Sequence, residues 1–320
     1  MKALQLRQLG DHMGQPLLTV LKKGLLTTFQ DQGRYGYQQF GVVTSGAMDT
    51  YSSQIANILV GNSRGEAVLE ITMLGPTLRV EADSITLAVC GADLSMTVNG
   101  NKAPLWKSFV VTKGDIIKFG KPVSGTRAYV AVAGGFEAQE VLGSKSYYAK
   151  AKLGTEINDG DLIYGSVLTL RKNTGLSHHL IPTFDKEVTV RAILGPHQDY
   201  FTESAIEHFF SDTFQALQGD RMGFRLKGTK PLQHKEKAEI ASDAIPLGGI
   251  QVPSSGEPII LLADRQTTGG YPRIATIISV DIYKIAQLPP GGTIRFERCS
   301  IETAHKLYKK RENFLQNLHG

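Results

Sequence analysis

Hydrophobic positions in this chain come in short runs rich in Val, Ile and Leu, and most runs are closed by Gly, Pro, Asn or Asp. Runs of that length and composition predict strands rather than helices. The first lies over 24–29. Between Ala67 and Ala133 the runs 68–71, 84–89, 94–98, 108–111, 115–119 and 127–132 follow one another, and Asn99-Gly100 between two of them is a strong hairpin signal. A polar, less periodic stretch from Gly134 to about Thr183 interrupts the series. It resumes with 187–193, 221–226, 245–252, 259–262, 274–279 and 293–297. Many short strands in series predict barrels or sandwiches, not alternating βαβ units. The interruption divides the chain into an N-terminal domain over 1–183 and a C-terminal domain over 184–320.

Helical signals are fewer. Asp49 stands as an N-cap ahead of Ile55, Ile58 and Leu59, with Gly61 just past the end, so a helix is expected over about 50–60. Thr202 caps a second helix running through Phe210, with Phe201 and Ile206 placed as a hydrophobic staple. A short helix is expected over 280–286. Ser300 caps the last one, in which Ile301, Ala304, Tyr308, Leu315 and Leu318 fall roughly on one face, expected to dock onto its own domain.

Composition narrows the class. In 320 residues, 41% hydrophobic and 20% charged with 34 glycines, the chain reads as a globular, turn-rich protein. No apolar run approaches the ~20 residues of a membrane helix, and the N-terminus lacks a signal-peptide core. Cys90 and Cys299 are too few for a disulfide scaffold, which points to the cytoplasm. Cys90 ends an apolar run and reads as a small buried hydrophobe. The net charge of +5 is dispersed, apart from Lys306, Lys309, Lys310 and Arg311, so neither nucleic acid nor a membrane is an expected partner.

Familiar chemistries fail on spacing. Gly114 and Gly120-Lys121 are one residue too far apart for a phosphate loop, and Pro122 stands where Ser or Thr should hold magnesium. The eight histidines are scattered, and His178-His179 would point to opposite faces of a strand, so no metal site is expected. Gly46-Ala-Met-Asp49 has the lead-in of a biotin attachment site with aspartate in place of lysine, so no covalent biotin is expected here. Three polar, Gly-rich blocks remain: Asp31–Gly36 with Ser45–Asp49, Gly195–Asp199 with Asp220–Arg225, and Asp264–Tyr271. Arg34, Arg221 or Arg225 is suited to clamp a carboxylate or phosphate. Asp264 is suited to act as base or orienter, and Gln266 to hold an amide. The same residues also read as turn formers, a helix cap and ion pairs.

The three blocks, in this order and over about 24–296, resemble the family of 5-oxoprolinase C components, which are biotin-dependent carboxyltransferase-like proteins; half of the urea amidolyase carboxyltransferase domain is similar to them. Asp-x-Gly-Arg-x-Gly, Ser-Gly-Ala-Met-Asp, Asp220-Arg-Met-Gly-x-Arg and Asp264-Arg-Gln-Thr-Thr-Gly-Gly-Tyr271 carry the resemblance. It implies two cyclophilin-like β-barrels facing each other across a cleft, mainly β with a few helices. It also implies two partners, the B and A components of 5-oxoprolinase. Together with this chain they would open 5-oxoproline to glutamate, with ATP used at the level of the complex. Two other activities are compatible with it: sequestering a histidine-kinase inhibitor similar to the B component, or transferring carboxylate to a urea-like amide. On this reading Arg34, Asp49, Asp264, Gln266 and Tyr271 line one cleft. Asp264, Asp49 and Tyr271 are the catalytic candidates, and Arg34, Gln266, Thr267 and Arg221 the substrate-binding ones.

Overall fold

In the computed structural model, which describes residues 14–168 and 174–319, the mainly β architecture expected from the short apolar runs is present. Residues 14–168 build two sheets. One runs in the order 162–165, 15–22, 77–80, 116–118, 97–98, 101–102, and the other in the order 26–30, 68–72, 124–132, 84–93, 108–112. The central strands of the second sheet are almost continuously apolar because both faces are covered. Leu87, Val89, Val130 and Val132 face the first sheet, whereas Ala88, Cys90, Tyr129 and Ala131 lie on the opposite face. That opposite face carries helix α1 (Thr50–Leu59), capped by Asp49 and ended before Gly61 at φ 71°. Asn99 and Gly100, at φ 51° and 82°, make the two-residue turn that pairs Val98 with Asn101.

The second half is a closed barrel in the order 187–194, 273–277, 249–251, 259–261, 223–227, 213–219, 293–298. Its end strands, Glu187–Leu194 and Thr293–Arg298, pair in parallel and complete the closure. Phe209 of helix α2 (Glu203–Ser211) stacks on Phe296 with ring centroids 4.4 Å apart. Thr202 caps α2, and Phe201 and Ile206 both join the barrel core.

Some elements differ from expectation. The strands Thr77–Val80, Leu162–Gly165 and Thr213–Gly219 carry weak patterns, the last turning only Phe214 and Ala216 fully inward, and Gln15–Lys22, with Leu17, Leu18 and Val20 fully buried, is a further strand that the sequence reading did not include. The strand expected over 245–252 is limited to Gly249–Gln251, because Asp243–Ala244 pairs instead with Thr268–Gly269 in a separate ribbon. The segment over 280–286 is a tight turn, Ser279–Asp281, leading into helix α3 (Ile282–Ala286).

The last helix, α4 (Ile301–His319), does not stay on its own half. Ala304 packs with Ile278 and Val280 beside the barrel, but Leu315 is fully buried against the first half, where Arg64 meets Glu312 at 3.1 Å. Ile301, Tyr308 and Leu318, expected on the buried face, are 53%, 45% and 38% exposed. A helix of 19 residues that crosses two surfaces buries a different face at each end. Among the described residues no helix is long and apolar enough to cross a membrane.

Leu315→Ala should therefore loosen a contact between the halves. We expect a loss of about 2–5 kcal/mol in urea unfolding, against under ~0.5 kcal/mol for Leu318→Ala; equal losses would show that α4 does not bridge the halves.

Candidate functional site

The first block is built against residues 141–146. Asp31 Oδ1 accepts from the Gly33 amide at 2.8 Å and from the hydroxyls of Ser144 at 2.7 Å and Ser146 at 2.6 Å, and Oδ2 accepts from the Lys145 amide at 2.6 Å. Arg34 donates through Nε to the Val141 carbonyl at 2.7 Å and through Nη2 to the Ser146 carbonyl at 2.9 Å. Gly33 has φ 100°, and a Cβ there would lie 3.0 Å from the Ser45 carbonyl oxygen, so the chain needs glycine at this crossing. Arg34 is fully buried, with Nη1 unpartnered among the described residues. Burial pulls its pKa down, while Asp31 and Asp264 oppose the shift. Most of this guanidinium is thus committed to the fold.

Ser45 and Gly46, at φ 55° and 91°, turn the chain so that Met48 enters the barrel core of the other half. Asp49 follows, fully buried. Its carboxylate accepts from the Ser52 amide at 2.9 Å and from Gln287 Nε2 at 2.9 Å, so it caps α1 and ties it to the barrel half. Gln287 also accepts from the amides of Thr126 at 3.0 Å and Arg127 at 2.9 Å. Burial raises the Asp49 pKa, although the bonds from Gln287 and Ser52 resist this.

Arg221 lies at the centre of the contact. It forks onto Asp264 through Nε at 2.9 Å and Nη2 at 3.1 Å, donates to the Gly46 carbonyl at 2.7 Å, and its Nη1 donates to Glu70. Glu70 Oε2 accepts in turn from the Met48 amide at 2.8 Å and the Tyr129 hydroxyl at 2.9 Å, and that hydroxyl accepts from the Asp49 amide at 2.8 Å. Burial works against the Arg221 charge, but Glu70 and Asp264 outweigh it and hold its pKa above the ordinary arginine value.

Beside this network the outer face of the barrel carries a groove of about 470 Å³. Met222, Ile259 and Leu261 supply apolar wall, and Gln218, Arg225, Gln251, Gln266 and Tyr271 supply polar side chains. Alternation along the strands produces it: Phe224, Leu226 and Ile260 fill the barrel, so Arg225 and Ile259 turn outward. The ribbon formed by Thr268–Gly269 on Asp243–Ala244 stands alongside, and Gln251 Nε2 donates to the Tyr271 carbonyl at 3.1 Å. At the rim, Lys150 of the first half reaches Asp220 at 3.8 Å.

The expected residues therefore fall into two groups. Arg34, Asp49, Arg221 and Asp264 are buried, Arg34 within the first half against Val141 and Ser146 and the other three where the halves meet, and Gln266 and Tyr271 open onto the groove. Thr267, half-buried, gives its carbonyl to the Ile245 amide at 3.1 Å. Sequence reasoning did not single out Glu70, Arg127, Tyr129 or Gln287. The signal was available: Glu70 and Arg127 each interrupt an apolar strand, and a charge at such a position needs a partner.

A family model for the carboxyltransferase domain, subdomains A and B, matches residues 40–298. The chain is 34% identical to the 5-oxoprolinase C component of Escherichia coli, over 94% of this chain and 97% of that one. It is also 34% identical to the corresponding C component of Haemophilus influenzae, again over 94% and 97%. The crystal structure of the K. lactis urea amidolyase superposes with a TM-score of 0.88 at 30% identity, covering 99% of this chain and 21% of that one.

Arg221→Gln would leave the buried Asp264 without its cation and Glu70 with only Arg127, 4.0 Å away, and we expect about 3–5 kcal/mol lost in urea unfolding; a loss under ~1 kcal/mol would refute this role. Asp49→Asn should cost stability in a pH-dependent way. The folded carboxyl has a pKa above its unfolded value, so its contribution is fully present below the unfolded value and is lost as pH rises through the folded one. The cost of Asp49→Asn measured by denaturation should be larger near pH 4 than at pH 8, and the opposite order would show that the carboxyl is not raised.

Proposed function

This chain belongs to the family of carboxyltransferase domains composed of subdomains A and B, and from that premise we propose that it is the C component of an ATP-dependent 5-oxoprolinase. In this role it works in the cytoplasm within a hetero-oligomer, where the A and B components join it in opening 5-oxo-L-proline to L-glutamate. The observation that carries the reading is the end-to-end correspondence with two 5-oxoprolinase C components, each matched over nearly its whole length. The groove agrees in chemistry: amide side chains on an apolar wall suit a small lactam, which offers one N–H, one carbonyl and an apolar ring.

Gln266 and Tyr271 are the groups of the expected set placed to meet such a substrate. Asp49, Arg221 and Asp264 serve by fixing the two halves around it, and Arg34 by bracing the first half through the Val141 and Ser146 carbonyls. The groove does not suit the triphosphate of ATP: among the described residues Arg225 is its one cationic lining residue, and Asp220 lies at the same rim. ATP therefore belongs to this reading at the level of the complex. Carboxyl transfer to an amide is the second reading, favoured by the superposition of 99% of this chain on the urea amidolyase.

The test is reconstitution. Mixed with the A and B components, 5-oxo-L-proline and ATP, the chain should be required for glutamate formation, and avidin should have no effect. Glutamate formation undiminished when this chain is omitted would overturn the proposal, and inhibition by avidin would favour carboxyl transfer.

A further inference from the structure

Three arginines, Arg34, Arg221 and Arg225, lie in the Gly-rich blocks as candidates to bind an acidic substrate group. The structure separates them. Arg34 is spent on the backbone carbonyls of Val141 and Ser146, and Arg221 on Asp264, Glu70 and Gly46. Arg225 is exposed on the groove wall, and its guanidinium makes no hydrogen bond or ion pair among the described residues. Gln218 and Gln266, in the same lining, have equally uncommitted side chains.

We propose that this groove is a binding site for a small amide that carries a single carboxylate, with Arg225 as the carboxylate anchor that sets specificity. The inference rests on the 5-oxoprolinase reading and deepens it. A guanidinium presents two parallel N–H donors that match the two oxygens of a carboxylate, and with no internal partner it gives up no existing bond to do so. The glutamines supply what an amide needs, since each side chain both donates and accepts and can meet an N–H or a carbonyl in turn. Ile259 and Leu261 give a ring an apolar surface to lie on. Charge limits the ligand. Asp220 stands at the rim opposite Lys150, at 3.8 Å, so one positive charge, that of Arg225, is left over for a monoanion. Amides without a carboxylate would leave that guanidinium unmatched.

The experiment compares 5-oxo-L-proline with 2-pyrrolidinone, the same lactam without its carboxylate. In the reconstituted complex, Arg225→Gln should raise KM for 5-oxoproline about 10- to 100-fold, as expected for losing a charge-assisted hydrogen-bond pair. It should leave kcat within a few-fold and reduce the preference over 2-pyrrolidinone by a similar factor. Arg225→Lys should recover part of the loss. Because Arg225 is exposed and unpaired, both variants should unfold at the wild-type temperature. In parallel, ligand-observed NMR on the chain alone should detect 5-oxoproline binding that Arg225→Gln weakens and that excess 2-pyrrolidinone does not match. An active complex with unchanged KM and unchanged preference in Arg225→Gln would overturn the groove assignment and leave the enzyme assignment standing. A complex inactive on 5-oxoproline, with Arg225-dependent binding of the carboxylated lactam to the chain, would do the reverse. Absence of both overturns both.

Discussion

The two halves of the molecule are held in register around the buried charge of Arg221. A buried guanidinium is costly, and it persists here because two carboxylates and a carbonyl surround it, drawn from both halves. Glu70 and the Gly46 carbonyl come from the first half, and Asp264 comes from the barrel that also carries Arg221. Neither half completes the set alone: Glu70 would keep only the Arg127 cation, 4.0 Å away, and Arg221 would keep one carboxylate in place of two. The charges therefore specify how the halves meet more than they add net stability.

Further hydrogen bonds extend the same specification. Glu70 passes it to the Met48 amide and the Tyr129 hydroxyl, and Tyr129 to the Asp49 amide. Asp49 and Gln287 then connect the cap of α1 to the segment that follows α3. In this arrangement the Ser-Gly-Ala-Met-Asp block is an interface element, with Gly46 supplying the turn, Met48 a side chain for the opposite core, and Asp49 a cap and a cross-link. The groove inherits its rigidity from this neighbourhood. Asp264 donates its amide to the Arg221 carbonyl at 2.8 Å and Leu262 donates to Met222 at 2.9 Å, which fixes the ends of the two strands that form its wall.

Local features were legible along the chain before any fold was known. Strand runs bounded by turn residues, the Asn99-Gly100 turn, and the caps at Asp49, Thr202 and Ser300 follow from steric and hydrogen-bonding preferences of neighbouring residues, and the structure has the turn, the caps and most of the runs, with the one over 245–252 shortened to Gly249–Gln251. The role of each charge, by contrast, exists only once the chain has folded. Arg34, Arg221 and Arg225 look alike along the chain, and the difference between a buried tie and a free anchor depends on residues far away in sequence, such as Val141 for Arg34 and Glu70 for Arg221. Asp49 could be read as a cap from its neighbours, but its bond to Gln287 spans 238 positions and left no local trace. Periodicity likewise placed α4 without revealing that it crosses from one half to the other, because a helix carries its apolar positions the same way whichever surface receives them.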